Sequence, residues 1–217
     1  LAYTVLDLTS AVQDDLKDPS FSSSRILRYL NYGQKLVFNT HAFRFCEEAV
    51  SGDLTVGEHS YQQQTNHQST IGGALLDPDD FSVVMHLDET TYLPHRDFFD
   101  QYPSPEDNDN ARPSAWTEYG DEIFFNCPVD EAYIFRQRYY RYPAELTSDS
   151  DVPTVPLPFR ELLEQYAIYR GEKYRGNHDF AATYKQDFED GLEAMVMRYS
   201  APTQVAPARV RQRRTKI

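Results

Sequence analysis

Three groups of residues in this chain could do chemistry. The first is cationic: Arg209, Arg211, Arg213, Arg214 and Lys216 lead to the final Ile217, and residues 201–217 contain no acid. Such an arm suits an acidic partner surface, although terminal charge runs are also commonly just solvated. The second group is anionic. Residues 77–131 carry 15 acidic side chains against only Arg96 and Arg112, and paired carboxylates are the equipment of general acid/base chemistry. Asp77, Asp79, Asp80, Asp88 and Glu89 fall in turns and at strand ends, however, where aspartate is favoured for backbone reasons. A solvated or interface-facing acidic surface is therefore the stronger expectation.

The third group is histidine and cysteine. His41, His59, His67, His86, His95 and His178 form no HxxxH or HExxH pair, so converging metal ligands are not expected. Cys46 and Cys127 make neither a disulfide framework nor a CxxC site, and fit small buried hydrophobes in a reducing compartment. Gly72-Gly73 lacks the GKS or GxGxxG context of a phosphate-cradling loop, and no GxSxG elbow is present. No catalytic, cofactor-binding or metal residue is predicted, and no enzyme.

The elements that position these groups follow from periodicity. Val5, Leu8, Val12 and Leu16 make one helical stripe over 4–17, stopped by Asp18-Pro19. Ser22-Ser-Ser24 offers caps for a second helix over 24–40, with Ile26, Leu27, Leu30, Val37 and Phe38 as its apolar positions. From residue 43 the chain becomes β-prone. Strands are expected near 43–50, 61–65, 81–87, 116–119, 122–127 and 133–142, with a short helix at 95–102. In the last strand Tyr133, Phe135 and Tyr139 share one face by period two. Asn66 to Gly73 is polar and reads as a surface loop, and Ser104 to Pro113 as an acidic loop with little reason to order.

A helical hairpin closes the folded part. Phe159, Leu162, Leu163, Tyr166 and Tyr169 mark its first helix, and Gly176-Asn177 the break. Phe180, Tyr184, Phe188, Leu192, Met195 and Tyr199 mark the second. The expected fold is therefore α+β: a helical bundle from N-terminal and C-terminal helices with an inserted, mainly antiparallel β region. Its parts are 1–42 (helices), 43–146 (β-rich with acidic loops), 147–200 (helical hairpin) and 201–217 (extended basic tail). No run approaches 18 apolar residues, so no membrane span is expected. Leu1-Ala-Tyr-Thr-Val-Leu, broken by Asp7 and without a basic start, does not read as a signal peptide.

Net charge is −13 even with the basic tail included, which argues against general nucleic-acid or membrane-surface binding. Sixteen tyrosines accompany a single tryptophan. Tyrosine joins a large contact area to a polar tip, which suits either a protein interface or a half-exposed sheet.

Several segments in order carry a family likeness. They are Arg25-Ile-Leu-Arg-Tyr-Leu-Asn-Tyr-Gly-Gln34, Phe43-Arg-Phe45, Leu76-Asp-Pro-Asp-Asp-Phe81, Tyr139-Tyr-Arg-Tyr-Pro-Ala-Glu-Leu146 and Pro156-Leu-Pro-Phe-Arg-Glu-Leu-Leu163. Across roughly residues 3–200 the chain resembles the head-to-tail adaptors (connectors, gatekeepers or tail tubular protein A-like proteins) of tailed bacteriophages. The resemblance implies a homo-oligomeric, typically dodecameric ring in the virion, seated between the portal protein and a tail nozzle or other tail protein. It also implies a C-terminal segment that docks on the portal, synthesis in the bacterial cytoplasm, and a channel through which DNA passes without sequence-specific binding.

On that basis Arg209, Arg211, Arg213, Arg214, Lys216 and Ile217 are the portal-docking candidates. Tyr139, Tyr140, Tyr142, Trp116 and Tyr119 are candidates for subunit or tail interfaces. An acidic lumen would let DNA slide rather than stick. The alternative is a carbohydrate- or ligand-binding β module built on Trp116, Tyr119 and nearby acids, and a carboxylate-pair hydrolase ranks third.

Overall fold

Capping and left-handed turns set the helix boundaries in this computed structural model, which describes residues 3–18 and 21–199. Helix α1 (Val5–Leu16) starts in a capping box between Thr4 and Asp7, the Thr4 N–H donating to Asp7 Oδ2 at 2.8 Å. It buries Val5, Leu8, Val12 and Leu16, the stripe read from the sequence, and stops at Lys17, which is left-handed with φ of 49°. Helix α2 (Ser23–Thr40) begins at Ser22, whose side chain accepts from Arg25 N–H.

After the β region, α4 (Glu161–Arg175) turns through Gly176, at φ of 82°, into α5 (His178–Tyr199). Glycine carries no Cβ penalty there. Helix α4 is central: α1, α2 and α5 all pack on it. The second helix of the hairpin keeps the predicted stripe from Tyr184 to Tyr199, with Tyr184, Leu192 and Tyr199 packed against the helical core, and only Phe180 departs from it. Its deepest positions are Ala181, Phe188 and Met195, while Phe180 projects outward and is 67% exposed. A single-residue step in a helix turns a side chain by about 100°, and the large Phe188 and Met195 fix which neighbour faces in.

Two antiparallel sheets make up the β region. Strands β1 (Glu47–Leu54), β7 (Tyr133–Arg141), β3 (His67–Leu76) and β4 (Val83–Leu87) form one sheet in the order β1-β7-β3-β4. Strands β2 (Ser60–Gln62), β6 (Glu122–Phe125) and β5 (Trp116–Tyr119) form the other in the order β2-β6-β5. Helix α3 (His95–Gln101) packs beside β5. Tyr133 and Phe135 of β7 meet Ile123, Phe125 and Trp116 of the smaller sheet in a core separate from the helical one. Tyr140, on the opposite face of β7, packs against the helical core. The strand therefore serves both cores.

The polar segment Asn66–Gly73, expected as a surface loop, instead supplies most of β3, hydrogen-bonded to both β7 and β4. Its polarity matches a polar patch inside the sandwich rather than solvent. Gly73 is required because the strands approach closely: a Cβ there would lie 2.3 Å from the Arg136 carbonyl oxygen. The 104–113 segment is also better anchored than expected. Pro105 and Pro113 are buried, Asn108 Nδ2 donates to Asn126 O at 2.9 Å, and Ala111 bridges to Val129.

Residues 142–160 join β7 to α4 and are held by side-chain amides of α2. Asn31 Nδ2 donates to Leu146 O at 2.8 Å, and Leu146 N–H donates back to Asn31 Oδ1 at 2.9 Å. Gln34 Nε2 donates to Ala144 O at 2.9 Å, and its oxygen accepts from Thr154 N–H at 3.2 Å. Asn31, Gln34 and Leu146 are all buried.

Two substitutions test this packing. Asn31→Ala strands a buried donor and acceptor on Leu146, so urea unfolding should show a loss of about 2–4 kcal/mol. Gly73→Ala should cost about 1–3 kcal/mol, since backbone rather than a flexible side chain must yield. The same denaturation measurement, giving no change in midpoint for either variant, would contradict the assignment.

Candidate assembly surfaces

The carboxylates read from the sequence as possible acids are built into turns. Asp77 Oδ1 accepts from Asp79 N–H, and Asp80 Oδ1 from Ser82 N–H, both at 2.8 Å. Asp88 Oδ1 accepts from the Thr90 hydroxyl at 2.6 Å and its N–H at 2.8 Å. These hydrogen bonds to the charged form hold Asp80 and Asp88 below the ordinary carboxylate range. A carboxylate so held is a turn-former, and a poor proton donor near neutrality. Burial pushes the Cys46 thiol up to about 12, and raises Cys127 as well, so neither has the thiolate character of a nucleophile. Among the described residues no three His, Cys, Asp or Glu side chains converge as metal ligands.

The closest approach to a reaction centre lies between the two sheets. His67 Nε2 stands 3.1 Å from Thr70 Oγ1 and 3.8 Å from Glu118 Oε1. Thr70 donates its hydroxyl to Glu118, Gln63 Nε2 donates to the same carboxylate at 3.0 Å, and Gln137 Nε2 donates to Thr70 at 2.5 Å. The imidazole lies on the Tyr139 ring with centroids 5.4 Å apart. A cavity of about 240 Å³ adjoins, lined by Thr70, Gly72, Asp88, Tyr92, Trp116 and Glu118 among others. The hydrogen bonds on the Glu118 carboxylate come from β3 and the turn after β2, so the group ties the larger sheet to the smaller.

Burial, outweighing the Glu118 and Asp121 carboxylates, holds His67 below its ordinary range. The unfolded chain takes up this proton near the usual 6.5 and the folded chain only at lower pH. Stability contributed here is present above that value and declines as pH falls through the folded pKa. Urea midpoints followed from pH 8 to pH 5 should fall less steeply in His67→Gln than in the natural chain. Identical slopes would show that His67 does not couple folding to pH.

The aromatic candidates separate into two kinds. Trp116 is 4% exposed, its Nε1 donates to Thr91 Oγ1 at 3.1 Å, and Tyr92 packs edge-on at 4.9 Å. Tyr139 is 2% exposed, with its hydroxyl donating to Glu48 at 2.9 Å. Both are committed to the chain's own interior and present little to a neighbour, so Trp116 offers no open face on which a sugar could stack. Tyr140 is half-buried, whereas Tyr142 and Tyr119 are exposed. Tyr119 is flanked by His95 and Phe99, with centroids 5.6 and 5.7 Å away.

Sequence reading missed a further exposed group at the α4–α5 turn, where Tyr174 and Phe180 both project to solvent. Tyr174 carries the Arg25 guanidinium over its ring at 4.5 Å. Phe180 is the first residue of the predicted stripe, and only the structure shows that the core does not reach it. The basic residues Arg209, Arg211, Arg213, Arg214 and Lys216, with Ile217, lie outside the described residues.

No helix among the described residues is long and apolar enough to cross a membrane. A search of curated proteins finds no match to the chain. A family model does match: that of the SU10 adaptor protein, aligned over residues 3–213. That span takes in the helical layer and both sheets together. The chain accordingly belongs to the SU10 adaptor protein family, a family of phage head-to-tail adaptors.

Proposed function

We propose that the protein forms a homo-oligomeric ring, dodecameric as in the resembling adaptors, between the portal and the tail, and extends the channel through which DNA leaves the head. The family match over residues 3–213 carries this reading. Several physical features support it. The chain is acidic, with net charge −13, and its surface carries exposed aromatics at separate places. Repetition around an axis would bury such surface, and an acidic lumen would repel phosphates so that DNA slides without sequence-specific contacts. The carboxylates serve as turn formers and sheet ties, which fits a structural part rather than a catalyst.

The basic segment 201–217 is the portal-docking arm in this proposal, its five cations suited to an acidic protein surface. The exposed Tyr119 and Tyr142 fall to subunit or tail contacts. The protein then resides at the head–tail junction of the virion after synthesis in the bacterial cytoplasm.

Removing residues 203–217 should abolish co-sedimentation with portal rings while leaving the fold intact by circular dichroism. Binding that survives the deletion would refute the docking role. Native mass spectrometry and negative-stain imaging should find rings, alone or on portal, and a chain that stays monomeric in both settings would refute the ring.

A further inference from the structure

In a chain of net charge −13, copies repel one another at long range. Association therefore needs a local place where opposite charges meet. Helix α2 departs from the acidic character, as strand β7 also does: its 18 residues include Arg25, Arg28 and Lys35 and no acid. Arg25 is occupied over the Phe21 and Tyr174 rings. Arg28 and Lys35 lie seven residues apart on the outer face, with Tyr32 between them, which is 45% exposed. Arg28 makes no ion pair among the described residues, and Lys35 has only a solvent-exposed one, 3.7 Å from Glu145. A groove of about 560 Å³ runs beside this face, floored in part by Leu146.

Helix α5 has the opposite character. Asp179, Asp187, Glu189, Asp190 and Glu193 outnumber Lys185 and Arg198. Lys185 is taken by Glu189 at 2.8 Å. Asp190 and Glu193 are exposed, on the side away from the buried Phe188 and Met195, and Met197 beyond them is 76% exposed. Neither Asp190 nor Glu193 pairs with a cation among the described residues. Both helices pack on α4, where Tyr166 lies under Gly33 of α2 and against Phe188 of α5. Their outer faces are therefore separate surfaces of one chain.

We infer that the outer face of α2 receives the outer face of α5 from a second copy of this chain. Contacts of α2 with α2 or α5 with α5 would set like charges together, whereas α2 against α5 pairs Arg28 and Lys35 with Asp190 and Glu193. Tyr32 and Met197 add apolar area at the same seam. Single exposed ion pairs contribute little, so the value of this arrangement lies in selecting the partner face and suppressing the others. Joining two different faces makes a head-to-tail contact, which repeats from copy to copy and closes into a ring when the rotation permits. The inference rests on the ring proposed above and assigns its subunit seam.

The test uses the full chain in two charge-reversed forms, Arg28→Glu with Lys35→Glu, and Asp190→Lys with Glu193→Lys. Each form alone should require about tenfold or more protein to assemble, since reversed charges oppose docking. Mixing the two should restore assembly, because every α2 face then meets an α5 face of opposite sign. Circular dichroism establishes that both forms fold. Assembly of either form at the natural concentration would overturn this seam while leaving the ring in place, as would failure of the mixture to recover. A natural chain that never assembles, alone or on portal, would overturn the ring and the seam together.

Discussion

One hydrogen-bonding constraint fixes how the chain passes from the sheets into the last two helices. The segment from β7 to α4 dips into the core at Leu146, Pro153 and Val155 and forms no strand or helix ladder over most of its length. Asn31 and Gln34 supply partners from the side of α2, Asn31 in both directions, while Val5 and Leu6 N–H of α1 and the Arg160 guanidinium donate to further carbonyls of the segment. Buried backbone groups left unpaired are costly, so the Asn31 amide is what lets Leu146 lie in the core. The helix that presents these amides also buries Ile26, Leu30 and Val37 in the helical core. Packing of α2 and the course of the connecting chain are thus decided together.

The helices were the most legible part of the chain. The α1 stripe Val5, Leu8, Val12 and Leu16, the Ser22 cap and the Gly176 break all have local causes, and each appears where the residues place it. Strand β7 was equally clear, because its alternation reflects one face buried in the sandwich. The miss at β3 has a different origin. His67, Thr70 and Gly73 look like loop residues only while water is their assumed surroundings. Inside the sandwich they face Glu118, Gln137 and a neighbouring carbonyl, which no local pattern reveals. Phe180 departs from its stripe for a related reason: helical periodicity finds which face is apolar but not how far along the helix the neighbouring elements cover it.

Of the proposed interaction residues, the sequence told apart residue types but not depth. Trp116 and Tyr139 have the chemistry of interface residues and spend it within the chain, while Tyr119 and Tyr142 remain outside. Charge was more informative than aromaticity. The acid-free run of α2 and the acid-rich run of α5 were both present in the sequence, but their meaning required knowing which side of each helix α4 leaves open.

Strand β7 has a mechanical consequence. It is paired at eight positions with β1 on one side and at eight with β3 on the other, and its end continues directly into the segment clamped by α2. A pull from the helical layer along the strand axis would load the β7–β3 ladder in shear, while β1, joined to the helices at the same end, would be drawn along with β7. A ladder loaded that way shares the force among all its bonds, whereas a perpendicular pull would unzip them one by one. Tension between the helices and the smaller sheet would thus meet the fold along the direction in which this ladder resists most.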